Sequence, residues 1–286
     1  MVRNILAVIL AGSLAGLIAP RPATAQDDAH ATPSPPQQNW SFAGPFGIYD
    51  QAQLQRGFKV YREVCANCHG LSMLSFRNLG EPGALGYSEA QIKQLASEYT
   101  VKDGPNDQGE MFERKGRPAD RFPPPFPNDN AGRALYNAVP PDFSVIAKAR
   151  TYERGFPWFV VDAFTQYQEQ GVDYIVAYLI GYEDKAPAGT TIATGLYYNK
   201  YYPGNATAMP KPALIYTANG VTYDDGTPVS PEQYAKDVAA FLMWAAEPHL
   251  EARKRIGFQV MVFLIILAGL LYFTKKKVWS SVHGHA

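Results

Sequence analysis

Two cysteines stand three residues apart in "EVCANCHG", Glu63 to Gly70, and a histidine follows the second. They are the only two cysteines in the 286 residues. Cys-x-x-Cys-His is the spacing at which two thiols can add to the vinyl groups on one porphyrin edge, while the next imidazole reaches the iron. Cys65, Cys68 and His69 are therefore read as the covalent attachment of one c-type haem, with His69 as an iron ligand. Three other uses of the pair are weaker. A thioredoxin-like redox pair calls for a βαβ context, which the pattern lacks, and has no need of His69. A zinc site calls for a fourth ligand, and the sequence has no second Cys/His cluster. A disulfide suits an exported chain, but closing so short a loop adds little stability.

An iron held on one side by histidine needs a ligand on the other. His30 lies near the start, His249 beside an apolar run, and His283 and His285 at the very end, so none is well placed. Methionine is the alternative, and a Met/His pair suits electron transfer by raising the potential. Met1 belongs to the leader, Met73 follows His69 by only four residues, and Met261 sits in the apolar run. Met111 lies in charged "GEMFERKG", and Met243 on a helical pattern where it serves a core or surface. Met209, in "NATAMPKPALIY", is stiffened by Pro210 and Pro212. Elimination favours Met209, with gap-filling in a core as its other reading.

The ends of the chain say where such a site would sit. Arg3, an apolar stretch from Ile5 to Ile18 and Ala23-Thr24-Ala25 read as a signal peptide over residues 1–25, cut before Gln26. A short membrane anchor is the other reading. Near the other end, Ile256 to Phe273 is 18 residues without a charge, flanked by Arg253-Lys254-Arg255 and Lys275-Lys276-Lys277. That length spans a hydrocarbon core as one helix, placed at residues 253–274, with a cytoplasmic tail at 275–286. Basic residues on both sides leave orientation to the signal peptide, which puts the bulk of the chain outside.

The exported part, 26–252, carries 26 acids against 18 bases, a net of −8, although the whole chain is neutral. Such a domain can steer a basic partner, or its acidity serves solubility alone. No nucleic-acid partner is expected.

The elements that must position these residues read as mainly helical. Asp50 to Val64 places Leu54, Phe58, Tyr61 and Cys65 on one face and delivers "CANCH" at its end. Ser88 to Glu98 is a short helix behind a serine cap. Phe156 to Ile180 holds helical stretches, the better from Val172 on. Ser230 caps a helix with Pro231 at its first position and Gln233 completing a capping box. Tyr234, Val238, Phe241, Leu242 and Ala245 share one of its faces, and Pro248 breaks or kinks the chain before the span. "ATPSPPQQNW" reads as an extended leader, and "RFPPPFPNDN", "NAVPPDF" and "MPKP" as long ordered loops. No run of alternating strands stands out.

"YREVCANCHGLSMLSFRNL", "NAVPPDFSVIAKAR", "AMPKPALIY" and "TYDDGTPVSPEQYAKDVAAFLMWAAEPHLEARKRIG", with one terminal span, occur in the order seen in cytochrome c1. The chain resembles that family, in its bacterial form, over nearly all of the mature sequence. The resemblance implies a class I cytochrome c-like haem domain enlarged by Pro-rich loops, plus one C-terminal transmembrane helix. It also implies the haem subunit of a ubiquinol–cytochrome c reductase (bc1) complex, with cytochrome b and the Rieske iron–sulfur protein as partners in the membrane lipid. A soluble or membrane-anchored cytochrome c would take the electron.

By the same resemblance, Cys65 and Cys68 hold the haem, His69 and Met209 ligate its iron, and Arg150 lies near a propionate. Pro140 and Pro141 lie in a loop beside the His69 side, where a backbone carbonyl can accept from the other ring nitrogen. Some bacterial relatives carry a cysteine pair before the distal methionine. Here the Gly181–Ala208 loop has none, so packing of Tyr197, Tyr198, Tyr201 and Tyr202 must hold it. A haem sensor, the different class of function, would call for a signalling domain beyond the 13 residues after Phe273. The haem subunit of a terminal oxidase is the rival within electron transfer, and the order of motifs favours cytochrome c1.

Overall fold

The computed structural model describes residues 32–150, 156–165, 169–217 and 220–280. The signal peptide, its cut site and residues 281–286 lie outside the described residues. All described residues but Thr32 belong to one compact unit, Pro33–Ala286.

The first helix, α1, is Gln51–Val60. Asp50 begins it, its carboxylate accepting from the N–H groups of Ala52 and Gln53 at 3.0 and 3.2 Å. Such a cap satisfies donors that have no partner inside the helix. Beyond Val60 the chain departs from the expected uninterrupted α-helix. Tyr61–Cys65 form a π-helical turn, in which Ala66 N–H reaches back five residues to Tyr61 O at 2.8 Å. The wider turn shifts the residues after Tyr61 off the face they would have shared. Leu54, Phe58 and Tyr61 are buried as expected, whereas Cys65 is only half-buried.

A 3-10 turn at Phe76–Gly80 leads to α2, Glu89–Ser97. Ser88 caps it with a full capping box, Ser88 N–H donating to Gln91 Oε1 at 2.9 Å. Strands β1, Thr100–Asp103, and β2, Phe112–Lys115, form an antiparallel pair with Val101 opposite Arg114. Then come α3, Asp129–Tyr136, and the single turn α4, Ile146–Ala149. The 156–180 region divides into α5, Trp158–Thr165, and α6, Gln170–Ile180. A second antiparallel pair joins β3, Tyr197–Tyr198, to β4, Ala206–Thr207, before α7, Ala213–Tyr216.

The central helix is α8, Pro231–Ala246. Ser230 caps it, accepting from Gln233 N–H at 3.1 Å. The reciprocal half of the expected capping box is not made. The Gln233 side chain is turned toward Asp237 and donates from Nε2 to its buried carboxylate at 2.9 Å, a charge-assisted bond. From Tyr234 to Ala245 every side chain except Lys236 is buried. A helix apolar on nearly all faces belongs in the middle of a core, and α1, α4, α6 and α7 pack around it. Phe241 joins the rings of Phe58 at 5.3 Å and Tyr61 at 5.7 Å, fastening α1 to α8. Each such buried aromatic stabilises by about 2–3 kcal/mol. The two helices touch so closely at Gly57 that a Cβ there would lie 2.1 Å from Asp237 O.

Glu247–His249 interrupt the chain around Pro248, and α9 then runs unbroken from Leu250 to Trp279. At 1.5 Å per residue its 30 residues extend about 45 Å, enough to carry both basic flanks outside a hydrocarbon core of about 30 Å. Among the described residues it is the one helix long and apolar enough to cross a membrane.

The expected tyrosine packing of the Gly181–Ala208 loop is met in part: half-buried Tyr202 meets the Tyr178 ring at 5.9 Å and half-buried Tyr201 lies against Gly181. Tyr197 is exposed. Buried Asn199 adds hydrogen bonds to this packing: Nδ2 donates to Tyr178 O at 2.7 Å and Oδ1 accepts from Tyr201 N–H at 3.0 Å. Asn205, in the left-handed region at φ 58°, closes the turn by donating from Nδ2 to the carbonyls of Asn199 and Lys200.

Candidate functional site

Cys65 ends the π-helical turn and Cys68 and His69 follow it, the N–H groups of Cys68 and His69 both reaching Cys65 O, at 3.0 and 2.9 Å. Tyr61, one turn back, donates its hydroxyl to His69 O at 2.9 Å. The motif backbone is thus fastened to the α1–α8 aromatic cluster. Cys65 and Cys68 form no disulfide with each other. Burial, with the neighbouring Cys68 sulfur, pushes the Cys65 thiol up to about 12. A reactive redox cysteine has the opposite shift, toward thiolate at neutral pH. Among the described residues no group of three or more Cys, His, Asp or Glu side chains converges as a metal site. The thioredoxin and zinc readings therefore gain nothing from the geometry.

His69 is oriented from both sides of its ring. Its Nδ1 lies 2.8 Å from Pro141 O. A carbonyl oxygen can only accept, so Nδ1 carries the proton and Nε2 keeps its lone pair. Burial holds the imidazole below its ordinary pKa, and the Pro141 bond and Asp142 oppose that only in part. The ring stacks on Phe143 with centroids 3.9 Å apart and planes 13° apart. A neutral imidazole of fixed tautomer, with a carbonyl behind its N–H, is the arrangement found behind metal-binding histidines. Two thiols and this free Nε2 fit the donor set that a c-type haem requires.

The segment supplying Pro141 is itself tied down. Asp142 accepts from the N–H groups of Ser72 at 2.9 Å and Ser144 at 2.8 Å, and Phe143 N–H donates to Gly70 O at 2.8 Å. Burial would raise the Asp142 carboxyl, but the bonds from Ser144 and Ser72 outweigh it and hold it below the usual range. The carbonyl on His69 is therefore that of Pro141. Pro140 abuts α3, where a Cβ on Gly132 would meet its Cδ at 3.2 Å. The Cys68 sulfur lies 3.3 Å from Tyr136 Oη at the end of α3.

Met209 stands across the sequence on a separate support. Its N–H donates to Thr207 Oγ1 at 3.3 Å and its carbonyl accepts from Tyr182 Oη at 3.0 Å. Tyr178 Oη lies 2.8 Å from Thr207 Oγ1 and 3.0 Å from Tyr182 Oη. Tyr182 commits its one proton to the carbonyl, so Tyr178 donates to Tyr182 and Thr207 donates to Tyr178. The bonds form a circuit that leaves Met209 by its N–H and returns by its C=O. None of these three hydroxyl residues was singled out from the sequence. Two tyrosines four apart, one on α6 and one just past its end, and a Thr-x-Met turn were the signals to follow.

Arg150 ends α4, its side chain exposed. Its charge acts on Tyr174 and Tyr178 of α6, opposing the burial that pushes the Tyr174 phenol up to about 12. The structure thus brings Arg150 into the neighbourhood of the Met209 circuit. α4 and α6 meet closely there, since a Cβ on Gly171 would fall 1.7 Å from Ala147 O. Val64, Cys65, Ala66 and Met209 all pack against the one core centred on α8.

A mainly helical domain with Cys-x-x-Cys-His after its first helix, followed by one long apolar helix, is a class I cytochrome c-like domain joined to a membrane-type anchor. The sequence profile described as Cytochrome C1 family matches residues 40–282. The chain belongs to the cytochrome c1 family. It is 50% identical to the cytochrome c1 of Blastochloris viridis over 283 residues, covering 98% of this chain and 96% of that one. It is 40% identical to "Cytochrome c1-2, heme protein, mitochondrial" of Solanum tuberosum over 273 residues, 95% of each chain. The "Cytochrome b/c1" of Bradyrhizobium diazoefficiens is 64% identical over 250 residues, which is 87% of this chain but 36% of that longer protein.

Proposed function

We propose that this chain is the electron-exit subunit of a quinol–cytochrome c reductase (bc1) complex. Cys65 and Cys68 would hold one haem c through thioethers, with His69 and Met209 as the two iron ligands. When bound, the haem supplies a one-electron couple, whose potential a Met/His pair raises. The observation that carries this reading is the His69 tautomer. Nδ1 is spent on Pro141 O at 2.8 Å, and Nε2 is left free one residue after a Cys-x-x-Cys pair. Arg150, near the Tyr174–Tyr178 face, would lie beside a propionate.

The chain accepts an electron from the Rieske iron–sulfur protein and passes it to a soluble or membrane-anchored cytochrome c. Membership of the family supports the complex. The relative named "Cytochrome b/c1" supports cytochrome b as the neighbour in the membrane. The α9 helix supports a single-pass anchor, and the signal-peptide reading of residues 1–25 supports residues 26–252 on the periplasmic side of the inner or intracytoplasmic membrane. The net charge of −8 on those residues supports long-range steering of a basic acceptor.

Optical and redox measurements on the purified holoprotein and its Met209→Leu variant test the ligand set. Loss of the methionine-ligated signature and a large fall in potential are expected. An unchanged spectrum would remove Met209 from the site. For the steering, transfer to the acceptor should slow as ionic strength rises, and a rate indifferent to salt would reject it.

A further inference from the structure

The segment Ser41–Ile48 presents two large apolar side chains to the outside. Phe46 is 72% exposed and Ile48 61%. The segment is nonetheless held firmly. Ile48 N–H donates to Ser41 O at 3.0 Å and Ala43 N–H to Trp40 O at 3.1 Å, closing the loop on itself. Trp40, Phe42 and Tyr49 are buried at its base, with ring centroids 5.2 Å apart in both pairs. Gly47 is required by the close fold, because a Cβ there would lie 2.1 Å from Ala43 O.

The loop is fastened to the start of α9, while Trp40 and Tyr49 at its base also donate to Asp173 of α6 and to the Met243 and Glu247 carbonyls at the end of α8. Lys254 Nζ donates to the carbonyls of Phe42 and Gly47, and Glu251 Oε1 accepts from Tyr49 N–H at 2.8 Å. Phe46 meets Phe258 edge to face, centroids 5.5 Å apart. Phe258 is the third residue of the uncharged run that begins at Ile256. At 1.5 Å per residue it stands about 4.5 Å beyond Arg255 along the helix. That depth is the boundary between headgroups and acyl chains, where apolar faces of interfacial segments rest. A water-facing loop has no reason to spend rigid backbone on displaying a phenylalanine and an isoleucine.

We propose that Phe46 and Ile48 form a second membrane contact, inserting into the headgroup–acyl boundary beside α9. The contact rests on the reading of α9 as a membrane span. Its occupant is lipid, because Phe46, packed on Phe258, continues the apolar surface of the span itself and Ile48 is exposed on the same loop. The bonds of Lys254, Glu251 and Glu247 already tie the domain to the start of α9. A lipid contact of the loop beside α9 adds to these bonds in setting the height and orientation of the domain over the bilayer.

Site-directed spin labels on the holoprotein in phosphatidylcholine vesicles test this, the native cysteines being blocked as thioethers. Labels go at Ile48→Cys, at Ile265→Cys within the span, and at Met111→Cys on the far hairpin as a water reference. Each variant must first show the unaltered haem spectrum. Relaxation by oxygen should exceed relaxation by a water-soluble nickel chelate at positions 48 and 265, with the reverse at 111. If position 265 behaves as lipid-facing while 48 matches 111, the loop proposal fails and the span stands. If neither is lipid-facing, the span reading fails first. In the assembled complex, shielding of position 48 from both reagents would mean that a protein subunit covers it, which also overturns the proposal.

Discussion

Tyr182 donates its hydroxyl to the carbonyl of Met209 at 3.0 Å and so closes a ring of hydrogen bonds through Tyr178 and Thr207. Each member both gives and receives a proton, so the bonds polarise one another. Tyr182→Phe opens the ring and should cost about 1–2 kcal/mol. Thr207→Val opens it elsewhere at a similar cost. Once either bond is gone the circuit is broken, so the double variant should lose clearly less than the two losses added together. Denaturant titration of the holoprotein measures all three. Strict additivity would mean that the four groups act as separate pairs.

Asp142 controls the other side of the candidate site from a distance. Its carboxylate holds the N–H groups of Ser72 and Ser144, and with them the strip that presents Pro141 O to His69. Asp142→Ala removes two charge-assisted bonds and should destabilise by roughly 2–4 kcal/mol. A freer Pro141 carbonyl makes His69 a less basic ligand, so the potential should rise as the imidazole donates less. Asp142→Asn, which keeps acceptor capacity on one oxygen, should fall between the two. A potential unchanged in Asp142→Ala, in a protein otherwise folded, would separate this strip from the tuning of His69.

These two supports also mark where reading the sequence stopped. Cys65, Cys68 and His69 are legible because their chemistry is written in five consecutive residues. The caps at Ser88 and Ser230 are legible because a cap bond spans three. The Met209 circuit is not, since Tyr182 lies 27 residues away and meets the methionine only after the Asn199 turn folds the chain back. Gln233 shows the same limit from another side. Its local partner was the cap, but Asp237, one turn on and buried against α1, took its side chain. The π-helical turn at Tyr61–Cys65 leaves no local mark, because the chain there reads as ordinary helix.

Asp237 is fully buried and accepts from Gln53 at 3.1 Å, Arg56 at 2.9 Å and Gln233 at 2.9 Å. Arg56 also reaches Asp225. Asp237→Ala leaves two amides and one edge of the Arg56 guanidinium without their acceptor, while Arg56 keeps Asp225, so a loss of about 2–3 kcal/mol is expected. Arg56→Met combined with Asp237→Leu removes the part-paired guanidinium and should recover part of that loss. Thermal unfolding of the three proteins decides between the outcomes. If Asp237→Ala unfolds within about 1 kcal/mol of the parent, the network is not what joins the helices.

Gly57 tests the same helix pair by shape alone. Gly57→Ala should raise helix propensity by about 1 kcal/mol. The added Cβ, 2.1 Å from Asp237 O, forces α1 away from α8, and overpacking of that kind costs about 1–3 kcal/mol or more. The net change should therefore be destabilising, read as a lower midpoint in denaturant. A stabilised variant would mean that the helices part without loss.

Glu247 sits at the break between α8 and α9, paired with Lys148 and Arg253. Burial raises its carboxyl, but the two cations outweigh it and hold the folded value below the ordinary one. In the unfolded chain a glutamate titrates near about 4.3. The folded protein therefore holds this proton less tightly than the unfolded chain. The stability that Glu247 adds is fully present above about pH 4.3, and it is lost as pH falls through the lower folded value. Glu247→Gln should lower the melting temperature at neutral pH, and the gap to the parent should close as pH is taken down through the acid range. Melting curves of both proteins from pH 7 to pH 3 measure this. A gap that stays constant with pH would show that the side chain acts there through its shape and not through its charge.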